Sequence, residues 1–153
     1  IDSFAQRNTS FQTSRLRLSP EYGLYRGVFV DLFYDHFLAR EWSKWSGTLL
    51  PDYISWARSI IDEHRAILPK QLQEIVPVIF DELLPSYESV AGIEAALIRM
   101  SRRVKRSNPL AEGGGELTRH YEELRADFER FIIAAKQFSA DIIENGDLGA
   151  CQV

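Results

Sequence analysis

Apolar residues recur every three or four positions along almost the whole chain, and no run of period-two alternation bounded by turn residues is long enough to make a strand. This spacing confines the chain to an all-α fold, because each segment carries one apolar stripe that another helix must cover. A short helix is expected over about Thr9 to Leu18. Ser19-Pro20 then offers an N-cap followed by proline at the first helical position, opening a helix that runs to about Trp45 and stops at Gly47. Two amphipathic helices follow, over Asp52 to Leu68 and Lys70 to Leu84, with Pro77 bending or splitting the second. Another covers Ser89 to Arg106. The last runs from Glu116 to about Glu144 on a stripe that includes Leu117, Tyr121, Leu124, Phe128 and Phe131. Between these two, Asn108-Pro-Leu-Ala-Glu-Gly-Gly-Gly115 holds the one glycine cluster and reads as a mobile loop. The expectation is a single-domain helical bundle over residues 1–144, about six helices around a central buried helix at about 20–45, with a frayed tail at 145–153.

Charge and cysteine usage narrow the function. The 153 residues suffice for one core, and 18 basic against 22 acidic residues argue against a protein that coats nucleic acid or an anionic membrane. No apolar run reaches the roughly 18 to 20 residues that span a bilayer. Cys151 is the one cysteine, so there is neither a disulfide framework nor a Cys-based zinc cluster, and a reducing cytoplasm suits the chain. The chain lacks an initiator Met and opens on Ile1-Asp2-Ser3-Phe4 as if inside an element, so a segment upstream is expected.

The central helix carries an anomaly. Its segment DLFYDHFLAREW, residues 31–42, sets two aspartates and a histidine in a run that should be buried. At about 100° per residue, Leu24, Val28, Asp31, Tyr34, Asp35, Leu38, Trp42 and Trp45 fall within about 60° of one centre line. Asp31 and Asp35 therefore share an apolar stripe, while His36 points well away, alongside Phe29, Phe33, Phe37 and Arg40. A buried carboxylate without a partner is costly, and two of them one helical turn apart also repel each other. A divalent cation between them removes both problems; arginines from neighbouring helices would do the same, and spacing alone does not choose. His36 is either a core histidine held by a backbone carbonyl or a ligand or general base. Asp2 is either an N-cap or a further ligand, and His64 and His120 read as surface residues.

A second anomaly is a basic strip in an acidic protein. Arg99, Arg102, Arg103 and Arg106 recur at i, i+3, i+4 and i+7, with Lys105 beside them and no acid between residues 99 and 106. Cations at a helix C-terminus complement the macrodipole, which would explain a solvated helix end. The strip also suits docking of an acidic partner or a phosphate group, for which the arginine fork is well shaped. Nucleic acid fits less well, because no exposed aromatic residues are interleaved as stacking platforms.

Gly27-Val-Phe-Val-Asp-Leu-Phe-Tyr-Asp-His-Phe-Leu-Ala-Arg-Glu-Trp42 resembles the signature helix of the bacterial acyl carrier protein phosphodiesterases, also called acyl carrier protein hydrolases. Ile1-Asp2-Ser3-Phe4 is similar to the end of that family's His-Arg-x-Ile-Asp segment, and Ile67-Leu-Pro69, Tyr87, Gly92-Ile93 and Met100-Ser-Arg-Arg103 follow in the family's order. The resemblance implies an HD-domain-like member of the HD phosphohydrolase superfamily. It implies a divalent cation, typically manganese with magnesium as an alternative, and hydrolysis of the phosphodiester joining 4′-phosphopantetheine to a serine of acyl carrier protein. Asp31, Asp35 and His36 would then belong to the metal and catalytic site, Asp2 would be a further ligand candidate, and Arg99, Arg102, Arg103, Lys105 and Arg106 would receive the acidic carrier protein. A non-catalytic helical module that binds the carrier protein or another acidic partner is the alternative. The chain departs from the family where Ala5-Gln6-Arg7-Asn8 replaces a Thr-Asp-x-His-Pro-like stretch, removing an acid and a histidine, and where Phe138-Ser-Ala-Asp141 lacks the Phe-Pro often found there.

Overall fold

The computed structural model describes residues 2–145, with side chains from Ser3 to Glu144, and no strand occurs among them. Cys151 and most of the predicted tail lie outside the described residues. In chain order the helices are α1 (Asp2–Arg7), α2 (Thr9–Arg17), α3 (Tyr25–Arg40), α4 (Trp42–Trp45), α5 (Leu50–Glu63), α6 (Lys70–Pro77), α7 (Leu84–Ser86), α8 (Val90–Arg103), α9 (Gly114–Arg119) and α10 (Tyr121–Asn145). The all-α class follows from the periodicity; the boundaries show where local chemistry intervenes. Asn8 caps α2, its side-chain oxygen accepting from the Ser10 and Phe11 N–H groups at 2.9 and 3.3 Å. Pro20 opens only a three-residue 3₁₀ turn, because Gly23 follows at φ +51°, a left-handed conformation that ends the turn and delays α3 to Tyr25. Pro77 neither breaks the chain nor permits regular α geometry: α6 passes into a π-helical stretch, Val78–Leu83, whose wider register accommodates the missing N–H.

α3 supplies the largest share of the core. Phe29, Val30, Phe33 and Phe37 are fully buried, packed against Ile93, Ala96 and Leu97 of α8 and Leu117, Leu124 and Phe128 of α9 and α10. Each phenylalanine removed from water contributes on the order of 2–3 kcal/mol. Rings meet edge-on in Tyr34–Phe128 at 5.5 Å and Phe37–Tyr121 at 5.1 Å, while Phe29 and Phe33 stack at 6.1 Å. By contrast α5 buries none of its residues, and Tyr53, Trp56 and Ile60 on it are exposed.

The glycine cluster corrects the expectation of a mobile loop. Leu110–Glu112 forms a 3₁₀ turn whose Leu110 is buried, and Gly114 begins α9. A β-carbon on Gly113 would stand 2.5 Å from the Phe29 ring, and one on Gly114 would stand 2.4 Å from Cγ of Glu94. Glycine is needed there because backbone and side chains approach too closely for anything larger, so the cluster serves packing.

A buried carboxylate links α2 to α10. Asp127 of α10 has no exposed surface and accepts from Arg17 Nε at 2.7 Å, from Ser14 Oγ at 3.0 Å and from Arg130. Since Ser14 gives its proton to Asp127, the Tyr34 hydroxyl 2.9 Å away donates to Ser14 Oγ. Burial raises the Tyr34 hydroxyl above the usual tyrosine range, which keeps it a donor.

Candidate active site

Asp31 and Asp35 lie on successive turns of α3 and share one face, as the spacing predicts, but both are exposed, although Tyr34 on the same stripe is buried. Leu24 on the same stripe is 87% exposed, and the buried arc of α3 is the opposite one, with Phe29, Phe33, His36 and Phe37. Both aspartates are exposed and so escape full desolvation, whereas the core acids Asp127 and Glu116 are each paired with arginine. Asp35 nevertheless sits at the rim of a small apolar cleft with Leu38, Trp42, Tyr53, Leu84 and Tyr87. Crowding by these neighbours, and secondarily the charge of Asp31, pushes its carboxyl up to about 6. Tyr87 faces the same cleft, its hydroxyl pushed up to about 12 by desolvation and then by Asp35.

His36 is turned into the core. It is fully buried, with Nδ1 2.8 Å from the Tyr87 carbonyl oxygen and Nε2 3.0 Å from the Tyr121 hydroxyl. A carbonyl can only accept, so Nδ1 carries the proton and Nε2 accepts from Tyr121. Burial holds the imidazole below its usual pKa, consistent with this neutral form. Both ring nitrogens are engaged within the core, on the side of α3 away from the aspartates, and the Nδ1 bond is that of a core histidine held by a backbone carbonyl. Asp2 opens α1, but its side chain lies outside the described set. Among the described residues no group of three or more His, Cys, Asp or Glu side chains stands close enough together to hold an ion.

The basic strip is shorter than the sequence implies. α8 ends at Arg103, and Val104 adopts extended backbone, so Lys105 and Arg106 leave the helical register. Arg99 is spent on Glu82 at 2.6 Å. Arg102, Arg103, Lys105 and Arg106 remain exposed at the end of α8.

A cavity of about 620 Å³ opens where α1 and α2 meet the aspartate face of α3. Ala5, Gln6, Phe11, Arg15, Gly27 and Asp31 are among its lining residues, so it includes two positions of the Ala5-Gln6-Arg7-Asn8 stretch. Nothing in the sequence singled out Arg15. Tyr87 was marked only by resemblance. Asp127 had a legible signal, an acid between Leu124 and Phe128 on the apolar stripe of the last helix, with Arg130 three residues on.

The arrangement defines an all-helical protein with a pair of acids exposed on its central helix, between a polar cavity and an apolar cleft. Its sequence matches the model of the acyl carrier protein phosphodiesterase family over residues 1–135, and the chain belongs to that family. Among its relatives, the acyl carrier protein phosphodiesterase of Photorhabdus laumondii subsp. laumondii is 31% identical over 123 residues, 79% of this chain and 59% of that protein. Those of Serratia proteamaculans and Yersinia enterocolitica are 27% and 28% identical, covering 92% and 80% of this chain. The chain thus spans 59%, 74% and 65% of the lengths of these three relatives. No solved structure matches. No helix among the described residues is long and apolar enough to cross a membrane.

Proposed function

We propose that the chain carries the catalytic face of a metal-dependent phosphodiesterase that releases 4′-phosphopantetheine from holo acyl carrier protein, leaving the apo carrier protein. The observation that carries this reading is the pair Asp31 and Asp35, one turn apart and both exposed on α3, with Asp35 raised to about 6 partly by Asp31, in a chain of the family named for that reaction. Two carboxylates one helical turn apart, one of them raised by the other's charge, are a donor set suited to a hard divalent cation. Asp31 and Asp35 would hold it, with Asp2 a further candidate, while His36 would serve from the core. A divalent cation there, manganese or magnesium, would supply charge to the phosphoryl oxygens and lower the pKa of water. His36 would act at one remove, as a positioning residue: its hydrogen bond to the Tyr87 carbonyl holds the segment that places Tyr87 beside Asp35. Arg102, Arg103, Lys105 and Arg106 offer an acidic carrier protein a surface at the end of α8. An HD-type relation and a cytoplasmic setting accord with this reading.

The test is release of phosphopantetheine from holo carrier protein by the full-length protein, with Asp31→Asn and Asp35→Asn beside wild type. Both variants are expected to lose activity by at least about a hundredfold; wild-type rates in either would sink the assignment. Reversal of Arg102 and Arg103 to glutamate should weaken carrier-protein binding at low salt, and unchanged affinity would remove that surface. The second reading, a module that binds the carrier protein without cleaving it, is favoured by Ala5-Gln6-Arg7-Asn8. There the family's acid and histidine are absent, and Asn8 serves to cap α2.

A further inference from the structure

Arg15 and Arg17 lie two residues apart on α2, hence roughly 200° apart around the helix axis. They meet different fates. Arg17 is neutralised by buried Asp127, whereas Arg15 lines the large cavity on the same side of the helix as Phe11. The Nε of Arg15 is buried and has no hydrogen-bond partner. A guanidinium N–H withdrawn from water without an acceptor is costly, and an arginine so placed meets its requirement when an oxyanion enters beside it. The cavity leaves room for one. Gly27, one turn before Asp31 on α3, is the residue facing Arg15, and a β-carbon there would already lie 3.9 Å from Arg15 Nε. Among the described lining residues Arg15 and Asp31 carry the only formal charges, because Gln6 is neutral.

We propose that the Arg15 guanidinium is the phosphoryl-oxygen-binding group of this cavity, reaching from α2 toward the anion while Asp31 approaches from α3. That the anion is the phosphodiester of the carrier protein rests on the function proposed above; that the cavity takes a phosphate-like oxyanion does not. Asp31 opposes an anion in the absence of a cation, so its charge and that of Arg15 should act on binding with opposite sign.

Inorganic phosphate is the probe, titrated calorimetrically into the whole protein in EDTA and again with magnesium. Wild type is expected to bind, Arg15→Gln to bind about tenfold or more weakly, and Arg15→Lys, which keeps the charge but loses the fork, to fall between. Asp31→Asn should bind phosphate more tightly than wild type in EDTA. Gly27→Leu puts a bulky side chain into the space beside Arg15 Nε without removing the guanidinium, so it should also lose binding, and it decides the matter if Arg15→Gln does not fold. Equal affinity in wild type, Arg15→Gln and Gly27→Leu, or binding in none of them, overturns the proposal. The two readings fail separately. Phosphate binding that depends on Arg15, in a protein whose full-length form releases no phosphopantetheine, supports the anion site and refutes the hydrolase. Release at wild-type rate and KM by Arg15→Gln refutes Arg15 and leaves the hydrolase standing.

Discussion

Replacing Asp35 by asparagine is expected to stabilise the metal-free protein at neutral pH. The Asp35 carboxyl is pushed from its ordinary 3.8 up to about 6, first by the crowding of its apolar surroundings and then by Asp31. Because the folded-state value is raised, the folded chain binds more protons than the unfolded one between about pH 4 and about pH 6, and stability falls as pH rises through that window. Above it the whole penalty is present. At full strength such a rise corresponds to about 3 kcal/mol. Asp35 is exposed, however, so solvent screening reduces the cost to about 1 kcal/mol. Asparagine avoids it, and Asp35→Asn should melt about 2–4 °C above wild type at pH 7 in EDTA. The advantage should shrink as pH falls through about 6 and be largely gone by about pH 4, where the folded wild-type carboxyl is protonated and the unfolded one has begun to be. Manganese should reverse the order, because only a chain with both carboxylates gains from binding, by about 2.7 kcal/mol at a hundred times Kd. The assay is thermal unfolding across this pH range with and without manganese. A metal-free Asp35→Asn no more stable than wild type at pH 7, or an advantage that persists at pH 4, would refute the claim that the surroundings of Asp35 disfavour its charge.

Asp127→Ala strands Arg17, Arg130 and the Ser14–Tyr34 pair, so denaturant unfolding should show a loss of about 2–3 kcal/mol with little change in slope. A loss below about 0.5 kcal/mol would mean that the two arginines, both partly exposed, are satisfied by water. Gly113→Ala drives a β-carbon into the Phe29 ring and should cost about 1–3 kcal/mol. Gly115→Ala is the matched control, since nothing lies within 4 Å of its added carbon and α9 should gain up to about 1 kcal/mol. Equal effects at the two glycines would remove the packing account of the cluster.

Much of the fold was legible because a helix is a local object. Its period is written in consecutive residues, and the capping role of Ser89, whose side chain accepts from the Gly92 N–H at 3.0 Å, follows from residue type and place. What misled was equally local evidence read without its neighbours. Three glycines suggest a mobile loop until Phe29 and Glu94 arrive beside them from other helices. Arginines at i, i+3, i+4 and i+7 form a stripe only while the chain stays helical, and Val104 ends that before Arg106. Within the candidate site, the shared face of Asp31 and Asp35 and the divergence of His36 could be computed from 3.6 residues per turn.

The sequence by itself determined the all-α class, the family, and the placing of two carboxylates on one side of the central helix, because each depends on order and spacing along the chain. The tertiary structure decided which side of that helix is covered. A helical wheel assigns angles between residues but has no knowledge of the direction from which neighbours approach. α8, α9 and α10 pack on the Phe29, Phe33 and Phe37 arc and enclose His36, which leaves the aspartates facing outward. Only that packing brings Arg15 of α2, with its buried and unbonded Nε, and Asp31 of α3 to one cavity, since residues from two helices meet through space and not through sequence.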